Sequence, residues 1–160
     1  MKRKINFKIF FIILLLAIFT SIYLIYLHYA PSRHESFCNI ADSNFSCDIV
    51  YKGEFSTLDG IINHLFKLNL YFPLSNAIMS LVFFTLVLVG TFLVYKNRKF
   101  LSLSPVKMLK IIRILLILSL FYAIFLVYLE MYVIFAWCIV CMALDILIIL
   151  SLVFSFLIKK

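Results

Sequence analysis

The sequence predicts an all-α integral membrane protein, a four-helix bundle with a single extracytoplasmic loop. Of its 160 residues, 66% are hydrophobic and 18% are aromatic, and the mean hydropathy is +1.14. Soluble domains are only about 45–50% apolar, so a water-soluble globule is excluded. A membrane helix needs about 20 apolar residues. Four stretches meet this requirement, and we assign the spans to Ile9–Leu27, Leu74–Tyr95, Ile111–Leu129 and Tyr132–Ile158.

The spans occupy more than half of the chain, so we expect one membrane domain over residues 1–160. The first span follows four basic residues, a feature that is also typical of a cleaved signal peptide. Its apolar run is longer than the roughly 7–15 residues of such signals, and the sequence around Ala30 is a poor cleavage site. We therefore expect the first span to be retained as a helix.

The segment between the first two spans, residues 29–72, is polar and predicts an extracytoplasmic loop that carries Cys38 and Cys47. Within it, Ser56 followed by Asp59 three residues later is typical of a helix N-terminus with Ser56 as the cap. Apolar residues then recur at helical spacing. The pattern predicts a short amphipathic helix that lies on the bundle as a roof, or else a plain connector.

The distribution of charge predicts the orientation in the membrane. Twelve of the 15 basic residues lie before the first span, between spans two and three or just inside the third span, or at the C-terminus, whereas the loop at 29–72 holds five of the seven acids. Short loops rich in Lys and Arg stay in the cytoplasm. Both termini are therefore expected inside, so the net charge of +8 indicates topology rather than nucleic-acid binding. We expect a microbial plasma membrane, with the endoplasmic reticulum as the second choice.

The four cysteines form two pairs that this topology places on the extracytoplasmic side, where disulfides persist. Cys138 and Cys141 form a Cys-x-x-Cys unit on one helix face. We expect them about two turns below the outer end of the last span, with Cys138 the more exposed. A helix N-terminus favours a thiolate there. The turn before this span is predicted to be tight, with Glu130 at its outer tip.

Two such pairs predict a relay by thiol–disulfide exchange. A soluble thiol protein outside the membrane would reduce a Cys38–Cys47 disulfide, and Cys47 would then attack Cys138. Cys141 would be left as a thiolate facing the apolar interior, where a membrane quinone can accept two electrons. Static disulfides and a zinc site are the alternatives, although paired Cys-x-x-Cys units are more typical of structural zinc, and we expect no metal.

Three further residues are candidates for quinone binding. Asp145 follows Cys141 by one turn, and an ionisable group inside a span is a functional candidate by default. It is expected to donate a proton to the reduced quinone, or else to be a neutral group bonded to a neighbouring helix. Asn76 is expected to hydrogen-bond a quinone carbonyl. Trp137 and Phe135 are expected to stack on the ring, or to belong to an interfacial aromatic belt.

Taken together, these motifs resemble the vitamin K epoxide reductase family. The resemblance rests on the order of the elements and on the segments Cys47-Asp48-Ile49-Val50, Glu54-Phe55-Ser56, Gly60-Ile61, Tyr128-Leu129-Glu130 and Cys138-Ile139-Val140-Cys141.

The resemblance implies that Cys141 faces the quinone, that Cys138 exchanges with Cys47, and that Cys38 takes electrons from a separate thioredoxin-like partner. Asn76 stands where animal members carry a substrate-binding asparagine, and Asp145 where they carry a tyrosine. The chain is more similar to microbial members, which oxidise protein thiols with a ubiquinone, menaquinone or vitamin K-type quinone and so support disulfide bond formation.

Three alternative functions stay open. The first is a vitamin K epoxide or quinone reductase of the endoplasmic reticulum. The second is the disulfide-bond-formation protein B family, in which the Cys-x-x-Cys comes before the second pair rather than after it. The third is a non-enzymatic membrane scaffold whose disulfides staple the outer loop.

Overall fold

The computed structural model describes residues 2–29, 47–67, 71, 74–96 and 104–158. Four long helices dominate this part of the chain, and each is long and apolar enough to cross a membrane. They are α1 (Lys2–Tyr29), α4 (Asn76–Tyr95), α5 (Pro105–Leu129) and α6 (Ile139–Leu157). The expected all-α membrane bundle is thereby confirmed.

The long helices form a ring in which α1 packs against α4 and α6, and α5 packs against the same two helices. Fully buried side chains at helical spacing fill its centre, including Phe10 and Leu14 of α1, Phe84 of α4 and Leu116 of α5. Large apolar side chains such as Phe121 cover the outer surface. Since lipid is as apolar as these side chains, the bundle depends on close packing and on hydrogen bonds between helices.

Such contacts are present at both ends of the bundle. The Ser80 hydroxyl of α4 donates to Ser21 Oγ of α1 over 2.9 Å. At the opposite end, Arg113 of α5 donates to the carbonyl oxygens of Ser155 and Ile158 at 2.9–3.2 Å, which satisfies acceptors that the end of α6 leaves without intrahelical partners.

Three short elements connect α1 to α4 in the described part of the chain: α2 (Cys47–Lys52), a 3₁₀ turn (Glu54–Ser56) and α3 (Leu58–Phe66). The predicted amphipathic helix is therefore present as α3. Its N-cap is Thr57, so the prediction of Ser56 as the cap was wrong by one residue. Ser56 is instead the last residue of the 3₁₀ turn, where its N–H donates a hydrogen bond to the Gly53 carbonyl oxygen at 3.0 Å.

The predicted boundaries of the last two spans need correction. Helix α5 begins at Pro105, six residues before the expected start, because Ser104 caps it and proline suits a first helical position. Helix α6 begins at Ile139 rather than at Tyr132. A π-helical turn at Glu130–Ile134 continues α5, and Phe135 then ends the run in a left-handed conformation with φ 54°.

Candidate functional site

The Cys-x-x-Cys unit sits at the very start of α6. Cys138 is the N-cap, and its Sγ accepts the backbone N–H of Cys141 at 3.2 Å. The two Sγ atoms are 2.6 Å apart. The Cys138 sulfur therefore satisfies one of the N–H groups that the first turn of α6 leaves without an intrahelical partner. The pair is therefore positioned for thiol–disulfide chemistry.

The depth and exposure of this pair differ from the sequence-based expectation. The unit begins the helix instead of lying two turns inside it, because the π-helical turn and the left-handed Phe135 delay the start of α6. Cys138 is 0% exposed, whereas Cys141 is half-buried. The prediction that Cys138 is the more exposed thiol was therefore wrong, since its side chain folds back over the first turn.

Cys141 lines a cavity of about 320 Å³ at the end of the bundle where α6 begins, which we call the cysteine end. This volume falls at the lower end of the range for small-molecule sites, about 300–1,000 Å³. Most of the wall is apolar and comes from the long helices, and Val50 of α2 and Phe55 of the 3₁₀ turn add to it. The elements that close the cavity are therefore α2 and the 3₁₀ turn, whereas the expected roof helix α3 contributes no residue to the described lining.

Asn76 and Asp145 lie in the same cavity wall as Cys141, although they come from distant parts of the sequence. The Asn76 side chain donates from Nδ2 to the Phe55 carbonyl at 2.9 Å and accepts at Oδ1 from the Tyr122 hydroxyl at 2.9 Å. The amide is thus held by α5 on one side and by the 3₁₀ turn on the other. Tyr122 also lines the cavity, and sequence reasoning did not single it out among nine tyrosines.

Glu130 also lies in this cavity, which the sequence analysis did not predict. Instead of standing at an exposed tip, it is only 5% exposed and lines the cavity. Its Oε2 accepts the backbone N–H of Cys138 at 3.2 Å. Two carboxyl groups, those of Glu130 and Asp145, therefore line the same cavity as the Cys141 thiol. The rule that marks intramembrane acids as functional candidates applies to Glu130 as well as to Asp145.

The other residues predicted for the site either lie outside the described cavity wall or are described only in part. Cys47 is the first residue of α2, an element that packs against the π-helical turn. Cys38 lies outside the described residues. Trp137 is half-buried and is not among the described residues that line the cavity. Phe135 is 73% exposed, and its side chain is likewise no part of the described lining.

The donor set at this site does not resemble a metal centre. Among the residues that the structure describes, no cluster of three or more His, Cys, Asp or Glu side chains has an arrangement that could hold a metal ion. What the arrangement offers instead is a dithiol, two carboxyl groups and an amide–phenol pair on the wall of an apolar cavity.

Comparison with known proteins assigns the family. No individual curated protein gives a significant match to the chain. The family model described as the vitamin K epoxide reductase family matches residues 8–156, which is nearly the whole sequence. Together with the four apolar helices and the site described above, this match shows that the chain belongs to the vitamin K epoxide reductase family, whose members are membrane oxidoreductases linked to quinones.

Proposed function

We propose that this protein is a thiol–disulfide oxidoreductase that passes electron pairs from an extracytoplasmic thioredoxin-like protein to a membrane quinone. The observation that carries the proposal is the position of Cys141, which lies 2.6 Å from its partner sulfur and lines an apolar cavity. A dithiol in that position can exchange with another disulfide and can also give up two electrons to an acceptor in the cavity.

The outer pair, Cys38 and Cys47, is the proposed entry point for electrons. Helix α2 begins with Cys47 and packs against the π-helical turn that leads into Cys138, which supports transfer from Cys47 to the inner pair. In this exchange, Cys47 attacks Cys138, the bond between Cys138 and Cys141 breaks, and Cys141 leaves as a thiolate. Cys38 then attacks Cys47, the mixed disulfide between Cys47 and Cys138 breaks, and the outer disulfide is restored. The two protons lost by the outer thiols balance the two gained by the inner pair, which is left as a dithiol.

The polar groups of the cavity suit the ring of a quinone, while the apolar walls suit its tail. A side-chain amide carries two N–H bonds, and Asn76 uses one of them on the Phe55 carbonyl. The second can be donated to a ring carbonyl. The chemistry that the quinone supplies is acceptance of two electrons, and the protein holds its ring between Asn76 and Cys141 and keeps water out with the apolar wall.

The proposed orientation places the cysteine end on the extracytoplasmic side of a plasma membrane. The basic side chains Lys107 and Lys110 at the opposite end of the bundle support it, since basic segments are retained in the cytoplasm. An oxidoreductase in this orientation would supply disulfide bonds to proteins outside the cytoplasm.

The test is reduction of a quinone by the purified protein in detergent, with either a reduced thioredoxin-like protein or dithiothreitol as the electron donor. Cys47→Ala should abolish turnover with the protein donor and retain turnover with the small dithiol, which can reach the inner pair directly. Cys141→Ala should abolish both. Met142→Ala is the matched control, because Met142 is adjacent to Cys141 but points away from the described cavity wall.

Two results would contradict the proposal. Turnover of Cys47→Ala at the wild-type rate with the protein donor would remove the outer pair from the route. No quinone reduction by the wild type with either donor would favour a scaffold, in which the disulfides serve only to staple the loop. Substituting vitamin K epoxide for the quinone in the same assay distinguishes an epoxide reductase from a thiol oxidase.

A further inference from the structure

Glu130 is a buried residue whose side-chain carboxyl group is bonded to the Cys-x-x-Cys unit. Its backbone carbonyl accepts the N–H of Ala136 at 3.2 Å, which closes the loop between the π-helical turn and α6. Its side chain accepts the Cys138 N–H at 3.2 Å and interacts with the Cys141 thiol. It also lines the cavity next to that thiol. A residue needed only to cap a backbone N–H has no reason to reach the cavity and a reactive sulfur.

The proposed reaction requires movement of protons at this position. When the dithiol of Cys138 and Cys141 is oxidised, two S–H bonds break, one S–S bond forms, and two electrons pass to the quinone. Two protons must then reach the two ring oxygens, where they form the O–H bonds of the hydroquinone. The wall of the cavity is largely apolar, so these protons need polar side chains beside the sulfur atoms.

We propose that Glu130 is the group that accepts the proton of the Cys141 thiol and delivers it to the nearer ring oxygen; this role rests on the proposed function. As a carboxylate it takes the S–H proton, which leaves the Cys141 thiolate that gives up electrons. It is then restored to the carboxylate when the proton passes to the reduced acceptor. Its bond to the Cys138 N–H keeps the carboxyl group at the sulfur pair during both steps.

Other titratable groups surround Glu130 and set the conditions of the test. The described groups that line the same cavity are His28 of α1, Tyr122 of α5, and Cys141 and Asp145 of α6. Cys138 is the N-cap of α6, and Lys52 of α2 and Tyr128 of α5 lie on elements packed against the π-helical turn; the basic residues of α5, Lys107, Lys110 and Arg113, lie toward its other end. Asp145 is the main competitor, because its carboxyl group lines the same cavity as Glu130 and Cys141. A variant of Asp145 must therefore be compared with a variant of Glu130.

The first experiment measures the Cys141 thiol without any quinone. In a Cys38→Ser, Cys47→Ser background, the rate of alkylation of Cys141 by N-ethylmaleimide is followed by mass spectrometry across about pH 6 to 9, which brackets ordinary thiol titration. E130Q keeps an oxygen for the Cys138 N–H but cannot accept a proton. A carboxylate beside the sulfur disfavours the thiolate, so the neutral amide of E130Q should speed alkylation of Cys141 at neutral pH relative to wild type. Thr91→Val, an isosteric change of a buried residue on α4 at the other end, should leave the profile unchanged.

The second experiment measures quinone reduction with dithiothreitol. Loss of a positioned acid–base group typically reduces turnover by about 100-fold or more, so E130Q should lower kcat by that amount with little change in KM. E130D, which retains a carboxyl group, should recover a large part of the loss. D145N should retain a larger share of the wild-type kcat than E130Q does, because Glu130 is still present.

The outcomes separate this inference from the proposed function. An E130Q alkylation profile that coincides with wild type would overturn the role of Glu130 and leave it as a cap for Cys138. A changed profile in a protein that fails to reduce quinone would keep Glu130 as a group that acts on the Cys141 thiol and reject the proposed function. If E130Q does not fold, E130D decides instead: its shorter side chain moves the carboxylate away from the sulfur and should speed alkylation, and a profile identical to wild type would overturn the inference.

Discussion

Asn76 shows how single side chains are held in the site. Its amide lies between the Tyr122 hydroxyl and the Phe55 carbonyl, each 2.9 Å away, so two elements fix which edge of the amide faces the cavity. A buried polar side chain with two such partners is rigid, and rigidity lowers the entropy lost when a ligand binds. We therefore expect Tyr122 to act on a bound ring through Asn76 as well as through its own position in the cavity wall.

Removal of the Tyr122 hydroxyl is a direct test of this positioning. Tyr122→Phe should raise the KM for quinone about fivefold with little change in kcat, because one neutral hydrogen bond contributes about 1 kcal/mol. Steady-state kinetics with dithiothreitol as donor measures both constants. Tyr128→Phe is the matched control, since Tyr128 lies on the same helix but is exposed. A fall in kcat with KM unchanged would show that Tyr122 does not act through ligand binding.

Five residues were predicted from the sequence to face the quinone, and three of them line the described cavity; two other residues of its wall were missed for physical reasons. Cys141, Asn76 and Asp145 stand out because polar residues are rare inside apolar spans, and the structure brings these three to one cavity; Trp137 does not join them. Tyr122 was missed because tyrosine is common in membrane helices and its role depends on a contact 46 residues away. Glu130 was misplaced because a tight turn was assumed where the helix continues.

At the level of elements, the π-helical turn between α5 and α6 determines the geometry of the site. It buries Glu130, and it is ended by Phe135 in a left-handed conformation that few residues other than glycine adopt readily. The apolar pattern of the sequence is continuous from span three into span four, so periodicity alone could not reveal this break. For the same reason the start of α6, and hence the depth of Cys138, was predicted incorrectly.

Substitution of Phe135 should therefore change stability more than activity. The left-handed conformation costs about 1–2 kcal/mol for an ordinary residue, and least for Gly and Asn. Phe135→Asn should raise thermal stability in detergent, whereas Phe135→Val should lower it, because a β-branched side chain tolerates this conformation poorly. Both variants should retain the wild-type KM for quinone, since Phe135 is outside the described cavity wall.

Tyr132→Asn provides the control for this pair of variants. Tyr132 is also exposed and lies in the same turn, but its backbone is not left-handed, so the change to Asn should bring no gain in stability. A similar gain at Tyr132 would attribute the effect to lost surface hydrophobicity. A raised KM in both Phe135 variants would restore the expectation that this ring stacks on the ligand.

At the level of the whole molecule, the described groups of the candidate site lie at one end of the bundle. The cavity, both described cysteine thiols and the two carboxyl groups lie at the cysteine end, whereas Arg113 and the basic residues at the start of α5 lie at the other. Charge asymmetry along the sequence predicted this separation without knowledge of the packing. The electron donor and the basic surface are therefore expected on opposite sides of the membrane.

Labelling of intact cells tests this orientation. In a background with all four native cysteines changed to Ser, Tyr71→Cys and Lys107→Cys place a single thiol at either end, and both positions are exposed. An impermeant maleimide should label the Tyr71 site in intact cells and the Lys107 site only after permeabilisation. A permeant maleimide should label both. The reverse result would place the cysteine end in the cytoplasm and remove the proposed partner.

The cavity also has a wall that faces lipid, which indicates how an acceptor enters. Leu118 of α5 lines the cavity and is nevertheless 59% exposed, so its side chain lies where the cavity opens on the surrounding membrane. A quinone dissolved in the bilayer can pass there without crossing water.

Leu118→Trp should narrow this opening. The rate of reduction of a long-tailed quinone should fall about tenfold, which corresponds to an added barrier of about 1.4 kcal/mol and is within the usual range for the energetic cost of overpacking. A short, tailless quinone should be much less affected. Ile114→Trp, one turn earlier and also lipid-facing but outside the described wall, should leave both rates unchanged. Equal losses with both quinones in Leu118→Trp would show that the change acts on the site itself and that entry lies elsewhere.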